Sequence, residues 1–186
     1  MILNMKKISF NSPVILSFAL ISLGSLIAGY LTHGASTALL FSVYRGSLKD
    51  PLFYVRLFTH VLGHADYGHY VNNMLLFLLL GPILEEKYGS RTVLEVIGVT
   101  AFITGLAHIL LSTSSLLGAS GVVFAFILLA SVTGTGKGIP VTTILVAFLY
   151  IGQQIYDGVM LTDSISQLTH ILGGAVGAVY GLALKK

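Results

Sequence analysis

The chain has no cysteine and very little charge. Without cysteine there can be no disulfide, no thiol nucleophile and no cysteine-ligated metal. Compartment stays open, because membrane proteins seldom need disulfides. Charged residues make up 9% of the 186, where soluble domains carry about a quarter, and 55% are hydrophobic. With a mean hydropathy of +0.90, the composition is that of an integral membrane protein with several spans. The net charge of +3 is small. Its basic residues fall in short loops and read as topology signals, which leaves no case for a nucleic-acid partner.

The uncharged runs predict an all-α, polytopic protein, a single membrane domain over residues 1–186 with six transmembrane helices. A helix crossing a core of about 30 Å needs roughly 20 residues. The predicted spans are about Pro13–Leu31, Tyr67–Leu84, Val93–Leu111, Gly118–Thr133, Ile139–Tyr156 and Ile165–Leu184. The first follows Lys6 and Lys7 and has the look of a signal peptide. Its apolar core is longer than a usual h-region, so an uncleaved helix is expected. Six spans put both termini on one side, with Lys6, Lys7, Lys87, Arg91, Lys137, Lys185 and Lys186; Arg45, Lys49 and Arg56 fall on the other. Seven basic residues against three favour cytoplasmic termini, in what reads as a prokaryotic plasma (inner) membrane.

Within the fourth stretch lies Gly118-Ala119-Ser120-Gly121, and fifty residues later Thr169-His170-Ile171-Leu172-Gly173-Gly174-Ala175-Val176-Gly177. The orientation puts Ser120 and His170 toward the same, outer side. From Ser120 to Thr133 the apolar run covers only ~21 Å of a core of about 30 Å. Its start must therefore lie below the surface, reached by a non-helical loop at Ser114–Gly118. Irregular backbone at that depth is tolerated where it is protein-buried or lines a wet cavity. A water-holding pocket with Ser120 at its floor follows, and the N–H groups of a helix start there can stabilise an oxyanion.

His170, Gly173, Gly174, Gly177 and Gly181 share one stripe, facing the small residues Ser120, Gly121 and Ala125. Small residues let membrane helices approach closely, and glycines alone need mean nothing more. An intramembrane histidine is costly and points to function. Upstream, His69 and Asn73 are four apart at the start of the second span and project from one face. They read either as interfacial capping and helix glue or as donors aimed at a developing negative charge. His60, His64 and His69 are close enough in sequence to raise a metal site. No HExxH pattern occurs and no carboxylate falls in the other span cores, so neither a metal nor a cofactor is expected.

Taken together these motifs resemble the rhomboid intramembrane serine proteases over about Val55–Gly181. The family's GxSG is similar to Gly118–Gly121, its HxxxxHxxxN to His64, His69 and Asn73, and its glycine-bearing histidine helix to His170, Gly173 and Gly177. The resemblance implies that Ser120 attacks a peptide carbonyl while His170 serves as base and then acid. The Ser120 N–H, His69 and Asn73 would form the oxyanion hole, with His64 bracing the loop and Gly118 and Gly121 keeping the serine accessible. Arg56 and Glu85 match positions that look structural. Many members have Trp-Arg where this chain has Val55-Arg56, and often tyrosine where it has Phe124, which keeps a ring to pack on His170.

No carboxylate is placed to orient His170, so a dyad is expected, its orientation left to packing and to Gln167 one turn earlier, with a slow rate as the consequence. Asp157 and Asp163 read as solvated, and Gln153 and Gln154 as helix glue. Substrates would be single-span membrane proteins in the lipid bilayer whose helices unwind easily near their outer end. The stretch Asp157–Ser166 would be a mobile lid. Two rivals stand beside this reading. A catalytically silent, client-binding rhomboid-like protein would not need both Ser120 and His170, and a proton-conducting channel or transporter would show ion flux and no serine labelling.

Overall fold

The computed structural model describes residues 11–132, 139–160 and 164–184. Among these residues the regular structure is helical: α1 (Pro13–Leu31), α2 (Ala35–Leu40), α3 (Pro51–Thr59) with a 3-10 turn at His60–Leu62, α4 (Tyr67–Tyr88), α5 (Ser90–Leu111), α6 (Ser120–Val132), α7 (Val141–Met160) and α8 (Ser164–Ala183). By length and composition α1 and α5 can each cross a bilayer, while α6 is apolar but only 13 residues long. At 1.5 Å per residue that is ~20 Å. The helices α4, α7 and α8 have 22, 20 and 20 residues. They also carry the polar groups His69, Asn73, Gln153 and His170.

The start of α1 shows how distant sequence closes a helix end. Pro13 occupies the first helical position, where a missing N–H costs nothing. The next two N–H groups, of Val14 and Ile15, both donate to the Glu85 carboxylate at 3.1 Å, and Leu16 N–H donates to the Ser12 carbonyl. Glu85 is buried and also accepts from the Ser90 hydroxyl at 2.6 Å. One carboxylate thus caps α1 and ties it to the α4–α5 junction. That junction is a single residue, Gly89, whose φ of 83° a side chain would resist.

The segment between α1 and α4 is folded rather than a simple loop. Asp50 caps α3 by accepting from Leu52 N–H, and it pairs at 2.8 Å with Arg56. This partner and the Leu52 hydrogen bond hold the Asp50 carboxyl below its usual range. Arg56 is itself buried, donates to the Leu39 carbonyl and lies 4.5 Å over the Tyr44 ring. The Thr59 hydroxyl donates to the Leu40 carbonyl, joining α3 to α2.

α6 is the buried axis. Val122, Val123, Ala125, Phe126, Leu128 and Leu129 are all buried, and α4, α5, α7 and α8 pack around it. The rings of Phe18, Phe77 and Phe126 stack at 4.5 and 5.2 Å, linking α1 through α4 to α6. Large apolar side chains point outward as well, among them Leu31, Leu75, Leu94 and Phe148. So extensive an apolar perimeter suits lipid rather than water.

The helix ends differ from the predicted spans in instructive ways. The fourth predicted span corresponds to α6, which begins at Ser120 rather than near Gly118, because Gly118 has φ 125°. The second continues past Leu84 to Tyr88, since the buried Glu85 belongs to the helix it caps from. Asp157–Ser166, read as a loop, is helical at both ends: α7 reaches Met160 and α8 begins at Ser164. The lid was expected there; residues 161–163, with Asp163, lie outside the described residues, as do Lys6, Lys7, Lys137, Lys185 and Lys186.

Candidate active site

Two helices bring the candidate pair together. Ser120 is the first residue of α6 and His170 lies in the second turn of α8. Their side chains meet with His170 Nε2 and Ser120 Oγ 2.8 Å apart. Both residues are partly exposed. The hydroxyl can donate to Nε2 when the imidazole carries its proton on Nδ1. The Phe124 ring, one turn along α6, lies against the same imidazole, with centroids 4.6 Å apart and planes 36° from parallel.

Glycine makes this approach possible. A Cβ on Gly173 would sit 2.1 Å from the Gly121 carbonyl oxygen, and one on Gly177 1.9 Å from that of Ala125. α8 therefore packs on the bare backbone of α6, helix against helix. Gly181 continues the contact against Val132. Gly121 is hemmed in on its other side by Thr104 of α5.

The loop at 112–119 is not helical and delivers Ser120 to the start of α6. It is lashed to the α1–α4 segment by paired hydrogen bonds between Val43 and Leu116, each 2.9 Å, and by Gly118 N–H donating to the His60 carbonyl. One histidine ring braces the loop itself, and another anchors the segment it is tied to. His60 is buried, with Nδ1 3.2 Å from the Arg56 carbonyl and Nε2 3.4 Å from the Thr104 hydroxyl. His108 Nε2 donates to the Ser114 carbonyl at 3.1 Å. The sequence reading passed over His108 and weighed His60 only as a metal ligand. The signal for His108 was available, since a histidine inside an apolar span calls for a partner by the same reasoning as His170.

Val123 N–H donates to the Ala119 carbonyl, so α6 starts with the N–H groups of Ser120, Gly121 and Val122 free of intrahelical acceptors. His69 approaches the same place. A Cβ on Gly118 would lie 2.8 Å from its Nε2. Ala65 N–H points at His69 Nδ1 across 3.4 Å, favouring the tautomer that carries its proton on Nε2, the nitrogen beside Gly118. Asp66 caps α4 by accepting from His69 N–H at 2.8 Å, which sets the ring's entry angle. Asn73 is buried one turn below and donates one amide hydrogen to the His69 carbonyl at 3.0 Å.

His64 is buried, with Nδ1 3.2 Å from the Leu62 carbonyl, and its ring meets His69 and Tyr70 edge-on at 5.1 and 5.4 Å. Burial pushes both His60 and His64 down to about 4, and the neighbouring His108 and His69 act in the same direction. Both are neutral near pH 7. Among the described residues no group of three or more His, Cys, Asp or Glu side chains could hold a metal ion. His60 turns to α5 while His64 turns to α4, so their closeness in sequence is not closeness of ring nitrogens.

The fold and the site define an all-helical apolar bundle in which a serine at a helix start meets a histidine on a second helix, beside a set of free donors. Over residues 52–186 the sequence matches the family model for the Rhomboid domain. The chain belongs to the rhomboid family, whose members are polytopic membrane bundles and generally intramembrane serine proteases acting on transmembrane substrates, although some are inactive. No curated protein matches the chain.

Proposed function

We propose that the protein is an intramembrane serine endopeptidase that cleaves single-span membrane proteins near the outer end of their helices. The observation that supports this most is the 2.8 Å contact between Ser120 Oγ and His170 Nε2. In this reading Ser120 attacks the substrate carbonyl while its proton passes to His170 Nε2. The tetrahedral oxyanion is held by the N–H groups at the start of α6, by His69 Nε2–H and by the second amide hydrogen of Asn73. The imidazolium then protonates the leaving amine, and water hydrolyses the acyl-enzyme by the reverse sequence.

The Phe124 ring packs on the imidazole and restrains its plane, a steric role distinct from the hydrogen bond and charge of a triad carboxylate. Losing that orienting charge costs a triad enzyme about 10⁴ in kcat, so turnover is slow. His64 and Gly118 shape the loop, and Gly121 keeps α8 close. Both termini lie in the cytoplasm and the dyad opens toward the outer leaflet of a prokaryotic plasma membrane.

The test is labelling of the detergent-solubilised protein with a serine-directed fluorophosphonate. Wild type takes one label on Ser120, while Ser120→Ala and His170→Ala take none, and cleavage of a reconstituted single-span protein is lost in parallel. Wild type that binds such a protein but is neither labelled nor able to cut it would overturn the protease reading in favour of a client-binding role.

A further inference from the structure

Sharing no lining residue with the dyad, a groove of about 580 Å³ runs between α1 and α5 under the α3 segment. Its walls are α1 from Pro13 to Ile21 and α5 from Leu94 to Ala101, and Phe58, Val61 and Leu62 close its far end. Nearly all of the lining is apolar. Gly98 opens it further, because a Cβ there would meet nothing within 4 Å. Among the described residues nothing covers either wall, and Ile21, Leu94 and Phe58 are each about half exposed or more.

The depth of the groove identifies its occupant. Pro13 to Ile21 is ~12 Å of helix, close to half of a hydrocarbon core of about 30 Å. The groove thus spans one leaflet, the one on the N-terminal side of α1, and then meets a roof. A transmembrane helix seated in it would collide with Phe58 and Leu62 at mid-membrane, whereas an acyl chain ends there. At the open end, Arg91 continues the stripe of Leu94, Gly98 and Ala101 along α5 at helical spacing. Its guanidinium is almost wholly exposed, and one N–H group bonds Glu95 at 3.0 Å. Its remaining donors suit a phosphate at the headgroup level.

We infer that this groove is a binding site for one acyl chain of an anionic phospholipid, with Arg91 at the headgroup. The α3 segment acts as a stop for the chain, so the lipid packs under the same segment that lashes the loop before Ser120. The site does not depend on whether Ser120 is a nucleophile.

The full-length protein is reconstituted in vesicles containing phosphatidylglycerol with a mid-chain photoactivatable diazirine, and labelled peptides are mapped by mass spectrometry. Label is expected to concentrate on residues 13–21, 58–62 and 94–101. Gly98→Leu and Ser17→Phe, which fill the groove from opposite walls, should each cut that labelling at least fivefold and leave the exposed Leu75–Leu79 face of α4 unchanged. Arg91→Gln should remove the preference for phosphatidylglycerol over phosphatidylcholine. Labelling that merely follows exposure and ignores both filling variants would overturn the site. So would cross-linked peptides joining the groove to a second copy of the chain. If one filling variant fails to fold, the other decides, as judged by its thermal unfolding.

Discussion

Gly177→Ala is the sharpest test of the coupling between helix packing and the proposed chemistry. The added methyl would lie 1.9 Å from the Ala125 carbonyl oxygen, and real contacts essentially never fall below 3.0 Å. The obstacle is backbone, so no rotamer change relieves it, and α8 must back away by roughly 1 Å or more. Overpacking of this kind costs about 1–3 kcal/mol, which lowers stability without abolishing the fold. His170 lies two turns from Gly177 on the same stripe and moves with the helix. A 2.8 Å hydrogen bond does not survive a displacement of that size intact. A misplacement of about 1 Å can cost 10² in rate, so fluorophosphonate labelling of Ser120 should slow by about that factor. Gly173→Ala, with a contact of 2.1 Å to Gly121, should behave alike. Gly24→Ala in α1 is the control, because nothing lies within 4 Å of the added carbon; it should leave labelling unchanged and raise stability by up to about 1 kcal/mol. Gly177→Ala labelled at the wild-type rate would refute the claim that close packing of α8 on α6 sets the Ser120–His170 distance.

Three further outcomes follow from the geometry. Gly118→Ala combines a φ of 125° with a carbon 2.8 Å from the His69 ring; labelling should fall at least tenfold, with a drop of ~1–3 kcal/mol in stability, read by thermal unfolding. Glu85→Ala leaves the Val14 and Ile15 N–H groups without their acceptor and should cost about 2–4 kcal/mol, while labelling of the protein that stays folded is unchanged. Because burial lowers His60 and His64 to about 4 in the folded protein, against about 6.5 when unfolded, the unfolded chain binds more protons between those values. Stability in detergent should be level above pH 7 and decline as pH falls from about 6.5 toward 4, and His64→Gln should flatten part of that decline.

Much of the bundle was legible because helix hydrogen bonds are local and lipid demands long uncharged runs. The six stretches read from Pro13 to Leu184 overlap the helices α1 and α4–α8, with ends that differ by a few residues. The excursion between Leu31 and Tyr67 was not legible. Its short helices α2 and α3 have no long apolar run, and they are stabilised by tertiary partners such as Arg56 with Asp50 and Thr59 with the Leu40 carbonyl. His60 and His108 escaped for the same reason: the His60 ring is explained by Thr104 of α5, and His108 by the loop it holds.

The chain by itself determined which chemical groups are placed within apolar stretches: one hydroxyl among small residues at Ser120, one imidazole above a row of glycines at His170, and donors at His69 and Asn73. Those follow from residue identity and from the cost of burying polar groups in lipid. Whether Ser120 and His170 touch was decided in three dimensions, since they are separated by fifty residues and joined only by the way α8 settles on the backbone of α6. Likewise only packing set Glu85 on the start of α1, seventy residues away, and left an apolar groove between α1 and α5. Local propensity has no range over such distances, whereas close contact between surfaces of matched shape does.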